Sequence, residues 1–213
     1  MRAYSFTTGI AACLFSLAAL AQTAPSAAPP AAAPTPPPTR IRGTIASLDG
    51  QTLTVKSREG QPVTIKLADP LTVMTVKNVP LSSVAAGSYL GTATRTGAGG
   101  TLQAIEVLVF PENMRGAGEG HYGWDLEPGS MMTNGTVNGV VEASSGRELK
   151  IGFKGESNSV TVPANAPVVT FAPAEKADLK PGAPIFVAAG KNAEGQFTAA
   201  RVVVGKDGVA PPM

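Results

Sequence analysis

Cysteine, histidine, aromatic residues and charge are all scarce in this chain of 213 residues. There is one Cys (Cys13) and one His (His121), which excludes a disulfide framework, a Cys-rich zinc site and a multi-His metal cluster. Aromatic residues make up 5% and charged residues 15%, well below the roughly 25% charged content of an average globular chain. Long surface helices need many Lys, Glu and Arg, so they are disfavoured. A formal net charge of +2 provides no strong pull towards nucleic acid or anionic lipid. The modules lack both a basic stripe and an aromatic stacking platform, so no nucleic-acid partner is expected.

What is abundant is Gly (24) and Pro (19). Together with runs of Val, Ile, Leu and Thr, they favour short strands joined by tight turns. Residues 1–21 read as a Sec-type signal peptide: Arg2 is the positive n-region, the apolar h-region runs from Gly9 to Leu20, and Ala19-Leu20-Ala21 is a small-x-small cleavage site. The h-region is shorter than the ~20 residues that span a bilayer. Cleavage after Ala21 starts the mature chain at Gln22 and removes Cys13. The expected location is therefore periplasmic or secreted. A lipobox reading of Ile10-Ala11-Ala12-Cys13, with a lipid on Cys13, is less favoured because Leu14, Phe15 and Leu17 follow where a polar spacer belongs. Seven prolines between Pro25 and Pro38 make residues 22–40 an extended, polyproline-II-like linker.

The remainder repeats itself. Gly43 to Gly50 aligns with Gly139 to Gly146; Leu53 and Val55 match Leu149 and Ile151; Val63-Thr64-Ile65 matches Val160-Thr161-Val162; Leu90 matches Ile185. Val63, Ile65 and Leu67 alternate with polar residues, as Leu149, Ile151 and Phe153 do, the period-two mark of half-buried strands. Asp49-Gly50, Glu59-Gly60, Gly97 to Gly100, Ser145-Gly146 and Glu194-Gly195 supply the turns. Each copy reads as about six short strands. The predicted fold is all-β: two tandem small barrels, OB-like or SH3-like, over 41–110 and 135–206, joined by a connector (111–134) and followed by a tail (207–213).

The doubled pattern Arg42-Gly43-Thr44…Leu53-Thr54-Val55-Lys56, with Leu179-Lys180-Pro181-Gly182 near the end, resembles the bacterial exported DUF5666 domain family, over roughly 41–110 and 136–205. The segment Gly118 to Asn134 resembles the linker of proteobacterial relatives that often carry the label "metal ABC transporter permease". A permease needs several spanning helices, which a processed chain of this sequence does not have. The resemblance implies an exported β-barrel protein of unknown function, or at most an accessory periplasmic component of a transport assembly, and brings no catalytic residues.

The connector gathers the rare side chains: His121, Trp124, Tyr122, Asp125, and three of the six Met residues, Met114, Met131 and Met132. Two readings follow. In the first, Trp124, Tyr122 and Asp125 contact a partner or plug a seam between barrels while His121 bonds within the loop. In the second, His121, Met131, Met132 and Met114 form a copper-type site. An extended Met131-Met132 pair points its two side chains to opposite faces, which weighs against the second. With no mature Cys, one His and no Gly-x-Ser-x-Gly elbow, catalysis is not expected, nor is a bound cofactor. The reading is a non-enzymatic binding or scaffold protein with a possible cell-envelope protein or transport assembly as partner, and periplasmic copper-type metal handling as the alternative.

Overall fold

A computed structural model describes residues 37–143 and 146–211. The expected signal peptide with Cys13, most of the proline-rich linker and the last two residues of the tail lie outside the described residues. The chain from residue 36 onward is one compact unit.

Twelve strands form one continuous hydrogen-bonded system. They are β1 (Thr39–Asp49), β2 (Thr52–Ser57), β3 (Pro62–Asn78), β4 (Tyr89–Thr96), β5 (Leu102–Val109), β6 (Gly120–Gly123), β7 (Met131–Ala143), β8 (Gly146–Phe153), β9 (Glu156–Pro163), β10 (Val168–Pro173), β11 (Pro184–Lys191) and β12 (Phe197–Val204). No helix among the described residues is long and apolar enough to cross a membrane. The fold is all-β, and it contains closed five-stranded rings. The first runs β12-β11-β1-β2-β3 and closes through parallel pairing of β12 with β3, Phe197 opposite Ile65. The second runs β5-β4-β7-β8-β9 and closes through a short parallel pairing of β5 with β9, Leu102 opposite Val160.

The two sequence copies do not each close a barrel of their own, so the boundaries 41–110 and 135–206 do not delimit the barrels. The first barrel takes β1–β3 from the first copy and β11–β12 from the second; the second takes β7–β9 from the second copy and β4–β5 from the first. The copies have exchanged their last two strands. Periodicity could not reveal this, because a strand carries the same alternation whichever barrel it completes.

Register also corrects the repeat alignment at its start. Ile45 pairs with Val55 and Val137 with Ile151, each immediately before a bulge. Gly43-Thr44-Ile45 therefore corresponds to Gly135-Thr136-Val137, not to residues from Gly139 onward, and the β7–β8 hairpin is longer than β1–β2. Both glycines are needed for the same reason. A Cβ on Gly43 would fall on the Lys56 carbonyl, and one on Gly135 on the Gly152 carbonyl. Only Gly lets the strands approach that closely where the barrel bends.

Each barrel is filled by aliphatic side chains. Ile45, Leu53, Val55, Ile65, Val187 and Val202 occupy the first; Leu90, Val107, Val137, Leu149, Ile151 and Val160 occupy the second. One-turn 3₁₀ helices at Leu81–Ser83 and Lys176–Asp178 precede Gly87 and Gly182, whose positive φ (88° and 89°) starts the exchanged hairpins. The hairpins dock through matching bonds: the Gly87 N–H donates to Val137 O, and the Gly182 N–H to Ile45 O, both at 2.8 Å.

Between the barrels, β3 and β10 pair antiparallel about the Val76–Phe171 pair. Register shifts the alignment here too: Ile65 pairs with Leu53 as Val160 does with Leu149, so Ile65 corresponds to Val160 and not to Val162. Val76 and Phe171 are equivalent positions of the two copies at the same separation of 95 residues, as are Leu102 and Phe197. The pair lies on a pseudo-twofold axis, within a third core of Val76, Leu108, Val169, Phe186 and Val203.

Because neither half owns a barrel, a chain cut at an engineered protease site after Gly116 is expected to elute as one particle on size exclusion under native conditions and to separate only in denaturant. Two fragments eluting apart without denaturant would show independent tandem barrels.

Candidate functional site

The connector was expected to interrupt the strands. It instead holds β6 and the first four residues of β7, and the two pair with His121 opposite Thr133 and Tyr122 opposite Met132. The glycines flanking His121-Tyr122 hid this short strand from a periodicity reading. On its other side, the same stretch of β7 pairs with β4, Met132 opposite Ala93.

Residues 124–130 form a tight loop. The Trp124 N–H donates to Ser130 O at 2.8 Å, and the Ser130 hydroxyl lies 3.1 Å and 2.8 Å from the Trp124 and Glu127 carbonyls. Side chains of both barrels hold the loop. From the first barrel, Arg42 donates to Asp125 Oδ1 at 2.9 Å, Arg40 lies 3.7 Å from the same oxygen, and Arg58 donates to the Asp125 and Leu126 carbonyls at 2.9 and 3.1 Å. From the second, Arg95 of β4 lies 3.8 Å from Glu127. The Arg40 guanidinium sits 3.9 Å from the centre of the Trp124 ring, and Arg42 is 5.5 Å from that ring and 5.1 Å from the Phe186 ring. Tyr122 meets Trp124 edge to face at 6.1 Å. Such cation–π contacts contribute about 0.5–2 kcal/mol each, more as they are desolvated. Burial lowers the Arg42 pKa, and the Asp125 carboxylate opposes that shift.

The four candidate metal ligands do not converge. In the β6–β7 ribbon, His121 and Met131 fall on one face and Met132 on the other by strand alternation. Met132 is buried. His121 Nδ1 is 2.8 Å from the Thr133 hydroxyl, and its ring stacks on Phe153 at 6.0 Å. Met114 lines a separate cleft of about 400 Å³ with Phe110, Phe171, Phe186 and Asn134. Among the described residues, no three His, Cys, Asp or Glu side chains form a metal-holding group.

Sequence reasoning missed Glu106. It lies inside the apolar run Ala104-Ile105-Glu106-Val107-Leu108, and a lone carboxylate in such a run is the signal that was present. Val107 points into the second barrel while Leu108 joins the core between the barrels, so Glu106 faces the seam with Leu108. It is 3% exposed, and its Oε1 makes no hydrogen bond. Burial pushes its pKa up to about 8, against the partial pull of Arg42. Glu106 lines a groove of about 550 Å³, whose walls include Ile105, Pro167, Val169, Val209, Arg58 and Glu127. Arg201, its equivalent 95 positions on, lines the aromatic cleft instead. The seam thus carries an acidic groove and a basic, aromatic one, built from equivalent positions of the two copies.

No family model, curated protein or solved structure matches the chain.

Two measurements follow. An unfolded chain ionises Glu106 near the ordinary carboxyl value of 4.5, and the folded chain does so near 8. Its contribution to stability is therefore present below about pH 4.5 and lost as pH rises through about 8. Glu106→Gln is expected to match the parent at pH 4 and to be about 5 kcal/mol more stable at pH 9 in urea denaturation, at ~1.4 kcal/mol per pKa unit. An unchanged pH profile would place the titration elsewhere. Separately, Cu(I) titration of the protein and of a His121→Ala/Met131→Ala/Met132→Ala variant is expected to give the same weak uptake. Stoichiometric micromolar binding lost in the variant would show that these ligands converge after all.

Proposed function

We propose that this protein is an exported, non-enzymatic binding or scaffold component of the cell envelope that works through its connector. One observation carries the reading: the loop 124–130 is held by three arginines of one barrel and one of the other, and it carries Trp124 and Asp125 on this rigid frame beside Tyr122 of β6. Both barrel interiors are filled by aliphatic side chains, which leaves outer surfaces for recognition. A loop carrying unusual residues on a rigid scaffold is where binding function concentrates. Aromatic and Arg side chains are also the types enriched at interface hot spots. The signal-like residues 1–21 support export, with the mature chain beginning at Gln22.

The test places a photo-crosslinking residue at Gly123, where an added side chain meets nothing within 4 Å, and at exposed Ser157 on β9 as a comparison, in the cells that make the protein. A discrete adduct in the envelope fraction is expected from position 123 only, and is expected to be lost with Asp125→Ala. Equal adducts from both positions, or none from 123, would overturn the connector as the working face.

A further inference from the structure

We propose that the groove over Glu106 is a binding site for an organic ammonium ion, with the cationic head on the Glu106 carboxylate and the alkyl part along Ile105, Val169 and Val209. This inference does not depend on the connector reading above.

The groove has the composition such a ligand requires. Its walls mix apolar side chains with polar ones, it holds about 550 Å³, and its one deeply buried polar side chain is a carboxyl with an unbonded acceptor oxygen. An unpaired buried acceptor costs about 1–3 kcal/mol, so a donor delivered to it gains more than the same donor would in water. The charged groups facing Glu106 are Arg42 from β1, Arg58 from the turn after β2 and Glu127 from the connector loop. Two of these cations are already engaged. Arg42 donates to Asp125, and both Arg58 Nη groups donate to connector carbonyls. Glu127 adds negative charge at the groove wall. An ammonium therefore meets the Glu106 carboxyl at the floor of the groove and, at its wall, a Glu127 carboxylate that is shared with Arg95 at 3.8 Å. The equivalent cleft across the pseudo-twofold axis carries Arg201 where this one carries Glu106, so the two clefts differ in the sign of the charge at that position.

Burial keeps the empty site's carboxyl protonated to about pH 8. Binding must then expel that proton: the protonated carboxyl and the ammonium give a carboxylate–ammonium pair and one proton released to solvent. Affinity is expected to rise about tenfold per pH unit from pH 6 to about 8 and to level off above it.

The probe is n-butylammonium, titrated calorimetrically into the whole protein at pH 6 to 9 in two buffers of different ionisation enthalpy. Expected are tightening with pH, release of close to one proton at pH 6.5, and loss of binding in Glu106→Gln. A parallel titration with Nα-acetyl-lysine methylamide distinguishes a lysine side chain from a free amine as the natural source. A second readout needs no variant: the ¹³C resonance of the Glu106 carboxyl should titrate at lower pH when butylammonium is present. Equal affinity for neutral 1-pentanol, equal binding by Glu106→Gln, or an unmoved Glu106 titration would each overturn the proposal. Failure here leaves the crosslinking result at Gly123 untouched, so the two readings fall separately.

Discussion

Everything in this molecule depends on the exchange of one hairpin between two copies of a repeat. A five-stranded sheet with twisted strands has two edges, and ring closure removes them. Here closure requires β12 on β3 and β5 on β9, strands that belong to opposite copies. The hydrogen bonds that seal each barrel are thus also the bonds that hold the two barrels together. The antiparallel β3–β10 pairing at the pseudo-twofold axis then falls between the barrels, where it builds a third apolar core.

The near-symmetry is broken where the chemistry is. Arg42 and Phe186 face each other across β1 and β11; the equivalent pair across β7 and β4 is Asn134 and Gly91. Gly91 leaves the space that Phe110 and the Asn134 side chain fill. The first barrel consequently offers an Arg–aromatic outer face, and the connector lies on it through Trp124 and Asp125. Ion pairs at such partly exposed sites contribute about 1 kcal/mol or less each. What distinguishes the loop is that several are combined with stacking and with backbone carbonyls accepting from Arg58.

Much of the fold was legible in the sequence because period-two alternation survives any topology. Ile65, Leu67, Leu149 and Ile151 are core residues as their spacing implied, and Gly87 and Gly182 stand where the chain turns into a strand. Connectivity was not legible, since alternation does not say which neighbour a strand pairs with. The first-strand alignment slipped by four residues because Gly recurs at both 135 and 139, and only the close approach to the Gly152 carbonyl separates them. In the connector, the opposed directions of Met131 and Met132 followed from sequence alone. The arginines that meet Trp124 and Asp125 did not, because Arg40, Arg42 and Arg58 lie some 65 to 85 positions away. Glu106 was overlooked because attention to rare residue types passes over a common one in a rare setting.

The order in which the strands are made carries a cost in time. The first barrel begins at Thr39, yet its ring cannot close until Phe197–Val204 has been synthesised, well over a hundred residues later. Until then β1 to β3 expose an apolar face and unpaired edges, the condition under which β-rich chains pair with the wrong neighbour. Native contacts so distant in sequence also make folding slow. A nascent chain of this kind spends its synthesis as an open sheet and becomes a closed body almost at once, when the last hairpin arrives.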